Sequence, residues 1–351
     1  MATTPERAQS KRRYATGDAN LDAKIAELVE ASGAQRHAEL ITQIIVTGLL
    51  LARDNASRLD VKIINAALKE MRYAFKIFAP YRHVQKATVF GSARTLPGHP
   101  DYEQARTFGE RIAEKGWMVV TGAGPGSMEA ANAGAGAARS FGVNIRLPFE
   151  AEPNPFIAED PKLINFKYFF TRKLMFIKEA EAFVLLPGGF GTMDEAFELL
   201  TLTQTGKSDI HPIVLLDPPG GTFWKDWMRF VGSDLLRHGY ISEPDLNLFK
   251  LTDDVDEAVE EVTGFYRNYH SMRYVHDRLV LRLRRFPDEQ ALAKLAEEFS
   301  DIVLSSSLVA AEPSKAEVAD EDALDLQRLA MSFDRTHFGR LRALIDRLNE
   351  L

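Results

Sequence analysis

Residues 185–195 read LLPGGFGTMDE: an apolar run, three glycines in four positions, a threonine, and then two adjacent carboxylates. Two readings of this stretch are open. In one it is a strand-to-helix turn, and Thr192-Met193-Asp194-Glu195 is a T-x-x-E capping box whose Glu195 side chain bonds back to the helix's first amide. In the other, Gly188, Gly189, Gly191 and Thr192 turn bare N–H groups and a positive dipole end toward an anion, with Glu195 one helical turn beyond. Both place the segment between a buried strand and a helix.

The same rhythm extends to either side. From Lys86 onward, Val/Ile/Leu-rich runs alternate with amphipathic stretches: ATVFGSA then YEQARTFGERIAEKG, and WMVVTGAGPG then SMEAANAGAGAA. GVNIRLP, FTRKLMFIKEA, AFVLLPGG, TMDEAFELLTLTQTG, PIVLLD, FWKDWMRFVGSDLLRHG, NLFKLTD and DVDEAVEEVTGFYRNY continue it. Continuous apolar strands separated by helices predict an α/β fold, a Rossmann-like doubly wound parallel sheet covered on both faces. Ligands of such sheets sit beyond the C-terminal strand ends, and the glycine turns all fall there.

Two further turns join the first at that edge. FGSAR supplies Gly91 and Ser92, and TGAGPGSME supplies Gly122, Gly124, Gly126, Ser127 and Glu129. Glu129 reads first as a first-turn acid that complements the helix dipole, and second as a ribose or base contact. YFFTRKLMF places Arg172 and Lys173 at a helix start, where cations oppose the dipole and call for a nearby anion. Known nucleotide fingerprints fail: Ser127 stands where G-x-G-x-x-G needs its third glycine, and Thr201 stands where TGKS would need the upstream glycine of a phosphate loop. A dinucleotide oxidoreductase is therefore a minor alternative.

Composition bounds the rest. A net charge of −7 over 351 residues argues against sequence-independent binding of nucleic acid, and the lack of cysteine excludes disulfides, thiolate nucleophiles and cysteine-held metals. No metal is expected, and no cofactor. The run LITQIIVTGLLLA falls short of the ~20 apolar residues of a membrane span, so no membrane partner is expected and the location reads as cytoplasmic. The polar stretch 1–20 reads as disordered and 21–80 as a helical extension, with Val61, Ile64, Leu68, Met71, Phe75 and Phe78 on one packing face. Residues 81–270 form the sheet domain. Residues 271–351 read as a small α+β domain in which a strand-then-helix pattern occurs twice, with Arg282, Arg284 and Arg285 on a solvated strand face.

PGGFGTMDE resembles the PGGxGTxxE motif of the LOG family, the cytokinin-activating nucleoside-monophosphate phosphoribohydrolases long called lysine decarboxylase-like. TRKLMF and TGAGPGSMEAAN resemble that family's Arg-Lys segment and second glycine loop, with Ala123 where many relatives have glycine. The resemblance runs from about Lys86 to Tyr269. It implies hydrolysis of the N-glycosidic bond of a nucleoside 5′-monophosphate, with Arg172 and Glu195 as the catalytic pair. It also implies a phosphate loop at Gly188, Gly189, Gly191 and Thr192, and a homodimer or larger assembly. The alternative is a non-catalytic carrier of a phosphorylated ligand, like the molybdenum-cofactor carriers of similar architecture.

Overall fold

The structure, a computed structural model, describes residues 14–34, 36–146 and 152–351. Residues 1–13 of the expected disordered start therefore lie outside the described residues. The chain divides into two units, one ending at Lys69 and one running from Glu70 to Leu351. In the first, Thr16 bonds to the Asp22 carboxylate, and the Asp18 side chain caps helix α1 (Ala19–Ala31) by accepting from the Asn20 and Leu21 amides. Ile25 and Val29 of α1 pack on Val46 of α2 (Ala38–Arg53). Helix α3 (Arg58–Phe78) contains the Lys69/Glu70 division.

The second unit opens with the end of α3. Phe78 of the expected stripe is buried and stacks on Phe141, whereas Phe75 is exposed and takes the Lys178 ammonium over its ring. Strand β1 (Lys86–Phe90), helix α4 (Pro100–Glu114), β2 (Met118–Thr121) and α5 (Ser127–Ala135) follow. Next come β3 (Ser140–Ile145), β4 (Leu163–Phe166), α6 (Phe169–Lys178), β5 (Ala182–Leu185) and α7 (Phe190–Gln204). β6 (Ile213–Leu216), α8 (Phe223–Phe230), β7 (Lys250–Thr252) and α9 (Val255–Gly264) complete the layer.

Among the described residues the sheet has seven strands in the order β4-β3-β2-β1-β5-β6-β7, with every neighbouring pair parallel. Growth reverses between β1 and β5, which makes that junction the topological switch point. β1, β2, β5 and β6 are buried along their whole length, as unbroken apolar runs require. The sequence reading missed β4. Its four residues LINF sit at the sheet edge and alternate in burial, a signal too short to separate from loop.

A second, antiparallel sheet follows, built from β8 (Tyr269–Val275), β9 (Arg278–Leu283), β10 (Val303–Ala310) and β11 (Gln327–Phe333) in the order β10-β11-β9-β8. Helices α10 (Glu289–Glu298) and α12 (Phe338–Glu350) follow β9 and β11, giving strand-then-helix twice; β8 and β10 were not foreseen. One apolar cluster runs through both sheets. It joins Ala87, Val89 and Val214 to Phe265, Tyr269, Leu281, Leu329, Leu341 and Leu348. The boundary expected at residue 270 falls inside this cluster.

The solvated arginine face is corrected in part. Arg284 and Arg285 are exposed, but Arg282 is buried. A short helix, α11 (Lys315–Asp320), lies over β9 and carries Glu317, which is also buried. Glu317 Oε1 accepts from Arg282 Nη2 at 2.7 Å and from Arg328 Nε at 3.4 Å, while its Oε2 accepts the Ser314 amide at 2.7 Å. Burial opposes the charge, but the Ser314 bonds and the Arg282 guanidinium outweigh it and hold the carboxyl at a pKa of about 2. A depressed carboxyl stabilises the fold above its ordinary value of 4.5, and that stability is lost as the pH falls toward 2. Glu317→Gln leaves the buried Arg328 without its carboxylate and Arg282 with Asp322 alone, so denaturant unfolding at pH 7 is expected to lose about 3–5 kcal/mol. The deficit should shrink as both proteins are taken to low pH.

Candidate functional site

The three glycine turns meet because β2, β1 and β5 are neighbours. The Ser92 amide donates to Pro187 O at 3.1 Å, and Ser92 O accepts the Ser127 amide at 3.0 Å, so the turns are tied to one another by main chain. This contact demands Gly126. Its φ is +71°, and a Cβ there would lie 2.2 Å from Ser92 O. Gly122 is equally confined, since a Cβ would lie 2.3 Å from Arg172 Nη2. The guanidinium occupies that space, with Nε donating to Val143 O at 2.8 Å and Nη2 to Gly122 O at 3.3 Å. Ala123, buried between these loops, has φ +61°, a left-handed conformation that costs a non-glycine residue about 1–2 kcal/mol.

Helix α7 begins at Phe190 with Gly189 as its N-cap, and no side chain caps it. This decides the first ambiguity of the sequence. Thr192 is the third helical residue rather than the cap, so Glu195 lies well inside the helix, and the capping box does not form. The Thr192 hydroxyl instead lies beneath Gly188, where a Cβ would come within 2.2 Å of it. Gly189 and Gly191 have open space where their Cβ atoms would be, so packing does not account for either glycine. The result is an exposed helix N-terminus with bare backbone. Across from it, Ser127 at the start of α5 is fully buried, and its hydroxyl has no hydrogen-bond partner among the described residues.

Glu195 is half-buried, and no hydrogen bond reaches its carboxylate among the described residues. It shares a small gap with Phe90 and Phe176, and the Arg172 guanidinium lies 5.1 Å from the centre of the Phe176 ring. Removal from water pushes the Glu195 pKa up to about 7, with Arg172 pulling it down and Asp194 pushing it further up. The acid is therefore poised to change charge near neutrality. Lys173 is committed elsewhere. Its ammonium pairs with Glu198 Oε2 at 2.5 Å and Asp194 Oδ2 at 3.1 Å, which ties α6 to α7 on either side of Glu195. Burial works against its charge, but the bonds to Glu198 and Asp194 prevail and raise its pKa.

Glu129, in the first turn of α5, accepts from the Tyr102 hydroxyl at 3.3 Å. Tyr102 was not foreseen, because nothing in its local sequence marks it. Asn132 and Asn154 were also missed; they form a buried network beneath the second glycine turn. The two larger cavities, each of about 560 Å³, lie away from these loops, one beside Leu174, Leu202 and His211 and one beside Arg82, Tyr266 and Arg284. Among the described residues no cluster of His, Asp and Glu is arranged to hold a metal ion, and no helix is long and apolar enough to cross a membrane.

The family model described as "Possible lysine decarboxylase" matches residues 128–262. The cytokinin riboside 5′-monophosphate phosphoribohydrolase of Mycobacterium marinum is 32% identical over 177 residues, spanning 49% of this chain and 91% of its own length. The pyrimidine/purine nucleotide 5′-monophosphate nucleosidase of Escherichia coli K12 is 31% identical over 127 residues, 34% of this chain but only 28% of its own. Among solved structures, the molybdenum cofactor binding protein of Rippkaea orientalis covers 51% of this chain and 96% of that one at 22% identity, with a TM-score of 0.34. So distant a likeness carries nothing about ligand or activity. The Mycobacterium match, which takes in nearly the whole of that protein, shows that this chain belongs to the cytokinin riboside 5′-monophosphate phosphoribohydrolase, or LOG, family.

Proposed function

We propose that this protein hydrolyses the N-glycosidic bond of a nucleoside 5′-monophosphate, releasing the free base and ribose 5-phosphate. The observation that carries the reading is Glu195, an acid with a pKa near 7 beside the Arg172 guanidinium, set one turn inside a helix whose N-terminus is bare. Relatives named phosphoribohydrolase and nucleotide nucleosidase support the same reaction class.

In this reading the amides at Gly189 to Thr192 and the dipole of α7 take the 5′-phosphate, and that remote binding energy positions the ribose. The unpartnered Ser127 hydroxyl, the turns at Gly91-Ser92 and Gly122–Gly126, and Glu129 line the sugar side. Departure of the base builds positive charge on the anomeric carbon. Ionised Glu195 stabilises that charge and takes a proton from the attacking water. The C1′–N bond breaks, the base keeps the bonding pair and takes a proton from solvent, water's oxygen ends on C1′ as a hydroxyl, and Glu195 returns the proton it took to solvent. Arg172 retains its protons at any working pH. Its part is to draw electron density toward the leaving base and to keep Glu195 from rising above neutrality.

The assembly is a homodimer or larger in this proposal. Phe190, which is 98% exposed on the glycine turn itself, and the exposed Phe169, Phe170, Leu174 and Phe197 on α6 and α7 form the apolar surface that supports it. A cytoplasmic location is part of the same proposal, because nucleoside monophosphates are intracellular metabolites.

The assay is release of free base from AMP, followed by chromatography. Glu195→Gln and Arg172→Ala are each expected to lower turnover by about 100-fold or more, and near-normal turnover in either removes its assignment. For the unmodified protein kcat/KM should rise with pH through about 7, where Glu195 ionises. A fall through that pH would make Glu195 the proton donor instead. Stability should move the other way. A raised carboxyl stabilises the fold fully below its ordinary 4.5, and that contribution is lost as the pH rises through 7. Glu195→Gln is therefore expected to be more stable than the unmodified protein by about 1–3 kcal/mol at pH 8, with little difference at pH 4.

A further inference from the structure

The second glycine turn is held by a side chain that lies outside every motif. Asn154, on the segment that returns after β3, is 3% exposed. Its amide N–H donates to Ala123 O at 2.8 Å, and its Nδ2 donates both to Gly124 O at 3.2 Å and to Asn132 Oδ1 at 3.1 Å. Asn132 Oδ1 also accepts from Thr121 Oγ1 at 2.8 Å, and Thr121 Oγ1 in turn accepts the Ala123 amide at 3.0 Å. Ala123 thus has both its N–H and its C=O fixed at the point where the backbone adopts φ +61°. The neighbouring carbonyl, Gly122 O, is the one that receives Arg172 Nη2.

We propose that Asn154 is a positioning residue that holds the 122–126 turn in its left-handed form and, through Gly122 O, keeps the Arg172 guanidinium in place. The physical argument concerns restraint. An alanine does not stay at positive φ unless its surroundings over-determine it. Here two donors and one acceptor of a single network, the Asn154 N–H, Asn154 Nδ2 and Thr121 Oγ1, converge on the carbonyls of Ala123 and Gly124 and on the Ala123 amide. Asn154 supplies two of those three and is itself locked, since its Oδ1 accepts the Phe156 amide at 3.2 Å and its carbonyl accepts the Ile157 and Ala158 amides. Without the Asn154 side chain, Gly124 O and Asn132 Oδ1 each lose a donor and only the main-chain bond to Ala123 O remains, so the turn relaxes toward negative φ and the Gly122 carbonyl swings away from Arg172.

The effect on rate rests on the hydrolase reading; the effect on the turn does not. The experiment therefore reads both, in Asn154→Ala, Ala123→Gly and the double variant, with Asn154→Ser in place of Asn154→Ala if the latter does not fold. Asn154→Ala is expected to lower kcat on AMP by about tenfold or more, with a smaller change in KM, and to speed amide hydrogen exchange in the peptide spanning Thr121–Ser127. Adding Ala123→Gly is expected to restore at least about threefold of the lost kcat and to slow that exchange again, because glycine populates positive φ without the restraint. A purely structural asparagine would show no such rescue. If the double variant matches Asn154→Ala in rate and exchange, or if Asn154→Ala leaves exchange in the turn unchanged, the proposal is overturned. If the unmodified protein releases no base from AMP, the hydrolase reading falls, and the exchange measurements alone decide the role of Asn154.

Discussion

At the reversal of strand order between β1 and β5, three chain segments pass one another at main-chain distance. Ser92 uses its N–H toward Pro187 and its C=O toward Ser127. These two bonds require that no side chain stand between the turns, which is why Gly126 has Ser92 O where its Cβ would be. Every feature of the site depends on that approach. It sets the start of α5 and the start of α7 at the same edge of the sheet, and the absence of a side chain at Gly122 leaves the space into which Arg172 reaches from α6.

Arg172 and Glu195 set opposite charges at this edge, both kept out of full contact with water. Arg172 is anchored by backbone carbonyls at Val143 and Gly122, which fix its orientation. Glu195 is deprived of water and has no hydrogen-bond donor among the described residues, so its proton affinity approaches neutrality. The nearby cation that might have quenched it, Lys173, is occupied by Asp194 and Glu198. Burying Glu195 in this way costs the folded chain stability whenever its carboxylate is ionised.

Much of this was legible in the sequence, for reasons that can be named. The buried strands β1, β2, β5 and β6 announce themselves as apolar runs, and glycine at a strand end is a local signal of close backbone approach. Gly91, Gly122, Gly126 and Gly188 are therefore readable, and so is their convergence once the sheet is inferred to be parallel. The exact start of α7 was not readable, because T-x-x-E fits a cap at Thr192 as well as it fits one turn further in; Gly189 takes the cap only in three dimensions. Asn154 and Tyr102 meet their partners across 30 and 27 residues, and neither has a neighbour that marks it. Arg282 was misassigned because its burial is imposed by α11, which crosses over β9 from a stretch that looks like acidic linker.

The apolar cluster common to both sheets bears on how the chain reaches this state during synthesis. Ala87 and Val89 of β1 share their core with Leu341, Leu344, Ile345 and Leu348 of α12, all fully buried. A ribosome delivers β1 long before α12, so the shared core is completed only when the last helix arrives. Such a chain gathers its ends late, across large loop-closure distances, and offers a sticky intermediate in the meantime.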